Sequence, residues 1–77
     1  MPTFQERFKE LKNEKNVTYK DIAAALNIGI RGVQRYAEGK GYPDYHGLVA
    51  LADYFGVSLD YLVGRTDEPM IAGRKKD

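Results

Sequence analysis

One helical segment stops at Asn27, and a second begins only three or four residues later. Upstream, Ile22, Ala23, Ala24, Ala25 and Leu26 give an alanine-rich apolar face. It lies behind Thr18, whose hydroxyl is suited to capping the amide of Asp21. Asn27 tolerates the left-handed backbone of a sharp stop. Downstream, a segment from about Gly29 to Glu38 turns Val33 and Tyr36 inward and leaves Ile30, Arg31, Gln34 and Arg35 outward. Gly39 is suited to ending that segment. Helices joined this tightly must cross steeply, so the second projects from the body and presents its outer side.

The flanking sequence supplies three more helices and no strand. Thr3 with Glu6 forms a capping box at the head of a helix reaching about Asn16, and Phe4, Phe8 and Leu11 make its apolar stripe. Its remaining charges, Glu6, Glu10 and Glu14 against Arg7, Lys9, Lys12 and Lys15, read as a solvated face. The segment Lys40-Gly41-Tyr42-Pro43 reads as a loop. Asp44 caps a fourth helix, about Tyr45 to Phe55, with Leu48, Leu51, Ala52 and Phe55 inward and Gly56 at its end. Ser58 caps a short fifth helix with Leu59 and Leu62 inward, ending at Gly64. Beyond it RTDEPMIAGRKKD reads as a tail. The expected organisation is one all-α, compact five-helix domain over residues 1–66, with a C-terminal tail over 67–77.

Composition narrows the function classes. The 77 residues include no cysteine, which excludes a disulfide framework and thiolate metal sites. No apolar run approaches the roughly 20 residues that span a bilayer, and no apolar signal core follows the charged N-terminus. The expected location is cytoplasmic. Net charge is only +1, but it is unevenly placed. Residues 1–43 hold eight basic and five acidic side chains. Residues 44–64 hold three aspartates, Asp44, Asp53 and Asp60, and no Lys or Arg. The excess of positive charge lies in the half that carries the tight helix pair, which suits a limited set of phosphate contacts.

An enzyme is not expected. The single serine, Ser58, is used in capping, the single histidine, His46, has no companion ligand, and no strand exists to carry a glycine-rich phosphate loop. No metal, cofactor or small-molecule ligand is expected.

The segments FQERFKELKNEKNVTYKDIAAAL, LNIGI, VQRYAEGK and LVALADYFGVSLDYLVGRTDEP, with Pro43 before the fourth helix, resemble the phage-repressor and Cro type of helix-turn-helix protein, the XRE-like regulators. The likeness covers about residues 4–69. It implies a lambda-repressor-like domain that binds operator DNA through its third helix, usually as a homodimer. The chain departs from the family pattern in several places. Tyr19 stands where a phosphate-holding Gln is usual. Asn27 stands for a turn Gly, and Gly29 and Gly32 replace small hydroxyl residues.

On this basis the expected DNA-contacting residues are Tyr19, Lys20, Gly29, Ile30, Arg31, Gly32, Gln34, Arg35 and Lys40. Arg31 suits the N7 and O6 of a guanine, and Ile30 suits a thymine methyl. Gln34 faces a base or a phosphate. Gly29 and Gly32 leave backbone bare for close approach, although Gly32 costs the helix about 1 kcal/mol relative to Ala. Tyr19 either hydrogen-bonds a phosphate or packs over the loop, and Lys40 either lies along the backbone or is solvated. Tyr42 and Tyr45 flank Pro43 and either add phosphate contacts or, the favoured reading, pack against their loop. Tyr61, Val63, Met70 and Ile71 are the expected dimer contact. The expected function is that of a Cro-like repressor binding a double-stranded operator. The alternative is a protein-interaction module on the same fold, antirepressor-like or antitoxin-like.

Overall fold

Each of the five helices begins at a residue whose backbone is extended, and four of those residues cap with their own side chain. In the computed structural model, which describes residues 2–70, α1 spans Phe4–Lys15, α2 Tyr19–Leu26, α3 Ile30–Ala37, α4 Tyr45–Phe55 and α5 Leu59–Leu62. At α1 the Glu6 amide donates to the Thr3 hydroxyl (3.2 Å) and the Thr3 amide donates to the Glu6 carboxylate (2.9 Å). Thr18 and Asp21 repeat this reciprocal box at α2, with distances of 3.0 and 2.9 Å. Asp44 and Ser58 accept from Gly47 and Tyr61 at the heads of α4 and α5. Only α3, which begins at Gly29, has no side-chain cap.

The helix ends are equally local. Asn16, Asn27 and Gly56 close α1, α2 and α4 in the left-handed conformation. At Asn27 the turn is a paired one: its amide donates to Ala24, and the Ile28 amide donates to Ala23 at 3.0 Å. This satisfies the last carbonyls of α2 and leaves Ile28 and Gly29 to start the next helix.

Phe8 sits at the centre of the core with no exposed surface. Phe55 meets its ring edge-on at 6.2 Å, Tyr36 edge-on at 6.4 Å, and Phe4 stacks at 5.7 Å. Leu11, Ile22, Val33, Leu51 and Leu62 fill the space around them. α1 lies against both α3 and α5, α2 lies against α3 and α4, and α4 lies against α5. Every helix therefore contributes an apolar face to one core, and truncating a side chain such as Phe8 to Ala removes about 3–5 kcal/mol. Within α2 the alanine-rich face divides: Ile22 and Ala23 are buried, whereas Ala24 and Ala25 are exposed. Eight residues of α2 offer one buried stripe, and Ile22 with half-buried Leu26 already occupies it.

Arg7 departs from the solvated face expected of α1. It is only 4 % exposed. Its guanidinium lies over the Tyr61 ring, pairs with Asp67 at 3.2 Å and donates to the Thr66 carbonyl at 3.4 Å. Burial opposes the charge, but Tyr61, Asp67 and Glu10 outweigh it, so the guanidinium is held protonated even more firmly than usual. Residues 67–69 are also tied down. The Ser58 amide donates to the Pro69 carbonyl at 2.7 Å, and the Ser58 hydroxyl donates to the Glu68 carbonyl. Residues 66–69 are thus fastened to Arg7 of α1 and to Ser58 at the head of α5. Gly64 makes that path available. Its φ is +85°, and a Cβ there would run into the Pro2 carbonyl.

Candidate nucleic-acid interface

Three side chains set the roll of α3: Val33 and Ala37, both buried, and Tyr36. Val33 has no exposed surface, and Tyr36 is half-buried with its ring edge-on to Phe4 and Phe8. With that stripe inward, helical spacing puts Arg31 and Arg35 on the outward ridge, one turn apart, with Gln34 beside them. All three are exposed. Arg31, Gln34 and Arg35, with Glu38 and Lys40, line a shallow hollow of ≈ 290 Å³.

The two arginines are held differently. Arg31 has no ion pair among the described residues. Arg35 donates from Nη2 to the Lys40 carbonyl at 2.8 Å, and Gly41 lies against its guanidinium. Arg35 therefore ties the C-terminal end of α3 to the following loop and presents its remaining donors from a fixed position. Lys40 points its ammonium toward Glu38 at 3.6 Å, an exposed pair of small energetic weight.

The first turn of α3 is bare. A Cβ on Gly29 would meet nothing within 4 Å, and one on Gly32 would make only an ordinary contact, 3.7 Å, with the Ile28 side chain. Neither glycine is required by internal packing. The amides at this helix start have no side-chain acceptor from the chain itself, and the helix dipole makes that end favourable to negative charge. Ile30, the first residue of α3, is 45 % exposed.

At the head of α2, Lys20 is exposed. Tyr19 is half-buried, with its ring stacked on Phe8 at 6.5 Å and 9°, and the Lys12 ammonium lies 4.9 Å from its centroid. The Tyr19 ring is thus packed into the body. Tyr42 and Tyr45 depart from the expected loop packing: they are 71 % and 69 % exposed. Tyr42 leans an edge on Phe4, and the Tyr45 ring meets the neighbouring His46 ring edge-on at 5.3 Å. Pro43 is buried between them and holds both tyrosines on the surface. Sequence pattern alone gives no sign of this, because which side of a loop faces the body depends on the helices it joins.

On and after α5, Tyr61 and Val63 are half-buried and Met70 is 46 % exposed. One face of the Tyr61 ring is already covered by Arg7. Ile71, the fourth residue of the expected dimer contact, lies outside the described residues, as do Arg74, Lys75 and Lys76. No helix of the described residues is long and apolar enough to cross a membrane.

Known proteins share this fold. A helix-turn-helix family model matches residues 8–62. The transcriptional activator BcrR of Enterococcus faecalis is 30 % identical over 60 residues, 78 % of this chain and 29 % of that protein. The phage CTXphi transcriptional repressor RstR of Vibrio cholerae is 33 % identical over 66 residues, 83 % of this chain and 59 % of that protein. A crystal structure of a transcriptional regulator from Listeria innocua superposes with a TM-score of 0.79 at 39 % identity, covering 86 % of this chain and 62 % of that one. The chain spans less than two thirds of the length of each of these relatives. With its tight α2–α3 pair and a helix-turn-helix match over most of its length, the chain belongs to the XRE-type helix-turn-helix family of transcriptional regulators.

Proposed function

We propose that this chain binds double-stranded DNA in a sequence-specific manner, as a homodimer, with α3 in the major groove of each operator half-site. We further propose that it acts there, in the cytoplasm, as a Cro-like repressor. The observation that carries the proposal is the ridge of α3: Arg31 and Arg35 stand exposed one turn apart, while Val33 and Tyr36 anchor the opposite side. Arg31 would take a guanine edge, with Gln34 and Arg35 beside it. Lys20, Lys40 and the bare backbone at Gly29 and Gly32 would meet phosphate, with Tyr19 at the margin of that contact. The acidic helices α4 and α5 carry Asp53 and Asp60 in a separate part of the chain, where Tyr61, Val63, Met70 and Ile71 would form the two-fold contact. RstR, which is named a repressor, supports the repressor assignment.

The direct test is titration of mixed duplex DNA at two salt concentrations. With about four phosphate contacts, affinity should fall roughly a hundredfold between 50 and 200 mM salt. Selection from a random duplex pool should return a palindrome whose half-sites are about one helical turn apart. A second reading, a protein-interaction module, is favoured by one observation: Tyr19 stacks on Phe8 and Gly29 lacks a side chain, so two usual phosphate holders are absent. Absence of duplex binding at low salt would select that reading.

A further inference from the structure

We propose that the groove between the α2–α3 turn and the head of α4 docks an amphipathic helical segment of a partner protein, one with Lys or Arg at both ends of an apolar stripe. Leu26, Ile28, Tyr36, Pro43, Gly47 and Ala50 line this groove, together with Asp44 and His46, around a volume of ≈ 430 Å³. Gly47 is required there, since a Cβ would come within 2.9 Å of the Pro43 side chain. The outer side of α4 continues the apolar surface. Tyr45, His46, Ala50, Asp53 and Tyr54 are exposed, and Asp53 is the one acidic or basic residue among the eleven of α4, leaving His46 aside. By contrast, α1 carries seven charged residues in twelve. A surface helix so poor in charge, beside an apolar groove, marks an interaction site rather than a solvated face.

Charge decides what the groove takes. Asp44 caps α4 through Oδ1, and its Oδ2 has no hydrogen bond among the described residues. Neither Asp44 nor Asp53 has an ion pair among the described residues. No Lys or Arg lies anywhere in residues 44–64 to neutralise them. The two carboxylates are nine residues apart in sequence, about 14 Å along the helix. His46 and Ala50 lie between them. Both carboxylates repel phosphate, so this face suits a basic protein segment and not the DNA that α3 is proposed to hold. A helix laid along the groove would insert apolar anchors one turn apart and bring its terminal cations to Asp44 and Asp53.

The test uses the whole chain and two capped helical peptides of Ala and Leu. One carries Lys at each end of its apolar stripe, the other Glu at the same places. Amide NMR titration of the isotope-labelled chain reads both site and affinity. The Lys peptide should shift the resonances of Ile28, Gly47 and Ala50, and the Glu peptide should bind roughly tenfold more weakly. Asp44→Asn keeps a capping side chain and removes the charge. It should bind the Lys peptide roughly threefold more weakly at an unchanged melting temperature. Ala50→Phe, at an exposed position, should fill the groove and abolish the shifts. Equal affinity for the two peptides would overturn the choice of a basic partner. Shifts that lie elsewhere, that persist in Ala50→Phe, or that are absent with both peptides would overturn the groove as the site. Self-association of the parent that Ala50→Phe abolishes would give the groove to a second copy and overturn the partner.

Discussion

The guanidinium carbon of Arg7 lies 3.8 Å from the centroid of the Tyr61 ring, which joins the first helix to the last. The same guanidinium pairs with Asp67, while its Nε, buried, has no hydrogen-bond partner. The two ends of this ion pair are unequal: the Arg7 side chain is 5 % exposed and that of Asp67 is 93 % exposed. Most of the stabilisation should therefore come from the ring contact and the packed stem rather than from the carboxylate.

Arg7→Ala should destabilise the fold by about 2–3 kcal/mol, because it removes a desolvated cation–π contact and leaves space beside Tyr61. Asp67→Ala should cost less than about 1 kcal/mol, since its carboxylate is already in water. Urea unfolding of the two variants checks the contrast, and equal losses would show that the ion pair dominates.

Gly32→Ala should raise stability by about 0.5–1 kcal/mol, because the added methyl meets only the Ile28 side chain at 3.7 Å and the helix gains a better former. Gly64→Ala should do the opposite, since its φ of +85° and the adjacent Pro2 carbonyl leave no room for a Cβ. If Gly32 serves close approach to DNA, thermal stability of Gly32→Ala will rise while duplex affinity falls.

Arg31→Ala should lower operator affinity by about 1–3 kcal/mol with no change in melting temperature, because Arg31 forms no ion pair among the described residues. Arg35→Ala should lower both affinity and stability, the latter by about 1 kcal/mol, since it also loses the 2.8 Å bond to the Lys40 carbonyl. Calorimetric melting alongside duplex titration separates the two roles.

Asp21 has its pKa lowered, first by the backbone amide of Thr18, then by the Thr18 hydroxyl. A carboxylate with a depressed folded-state pKa contributes stability above its unfolded value, about 4, and loses it as the pH falls through the lower folded value. The Thr18 amide resonance should therefore shift in step with Asp21 titration below about pH 4. In Asp21→Asn that pH dependence should vanish.

Caps and stops were legible in the amino-acid sequence because they are decided within four residues. Thr3 with Glu6, Thr18 with Asp21, Asp44, Ser58, Asn27 and Gly56 all act on backbone groups next to them. The inward stripe of α3 was legible for the same reason: Val33 and Tyr36 sit three apart, and their burial sends Arg31, Gln34 and Arg35 outward. What needed the folded chain were contacts between distant segments. Arg7 meets Asp67, 60 residues along the chain, and nothing near Arg7 marks it as different from Lys9 or Lys12. Tyr19 has the same ambiguity, resolved only when α1 brings Phe8 beneath its ring. Arg35 is a nearer case: the Lys40 carbonyl lies only five residues along the chain, but the two meet because the loop bends back on the end of α3. Local sequence determines where helices begin, end and face, because backbone hydrogen bonds and side-chain periodicity span one or two turns. Tertiary structure decided which charged and aromatic side chains are buried, because that depends on which helix faces meet when the core closes.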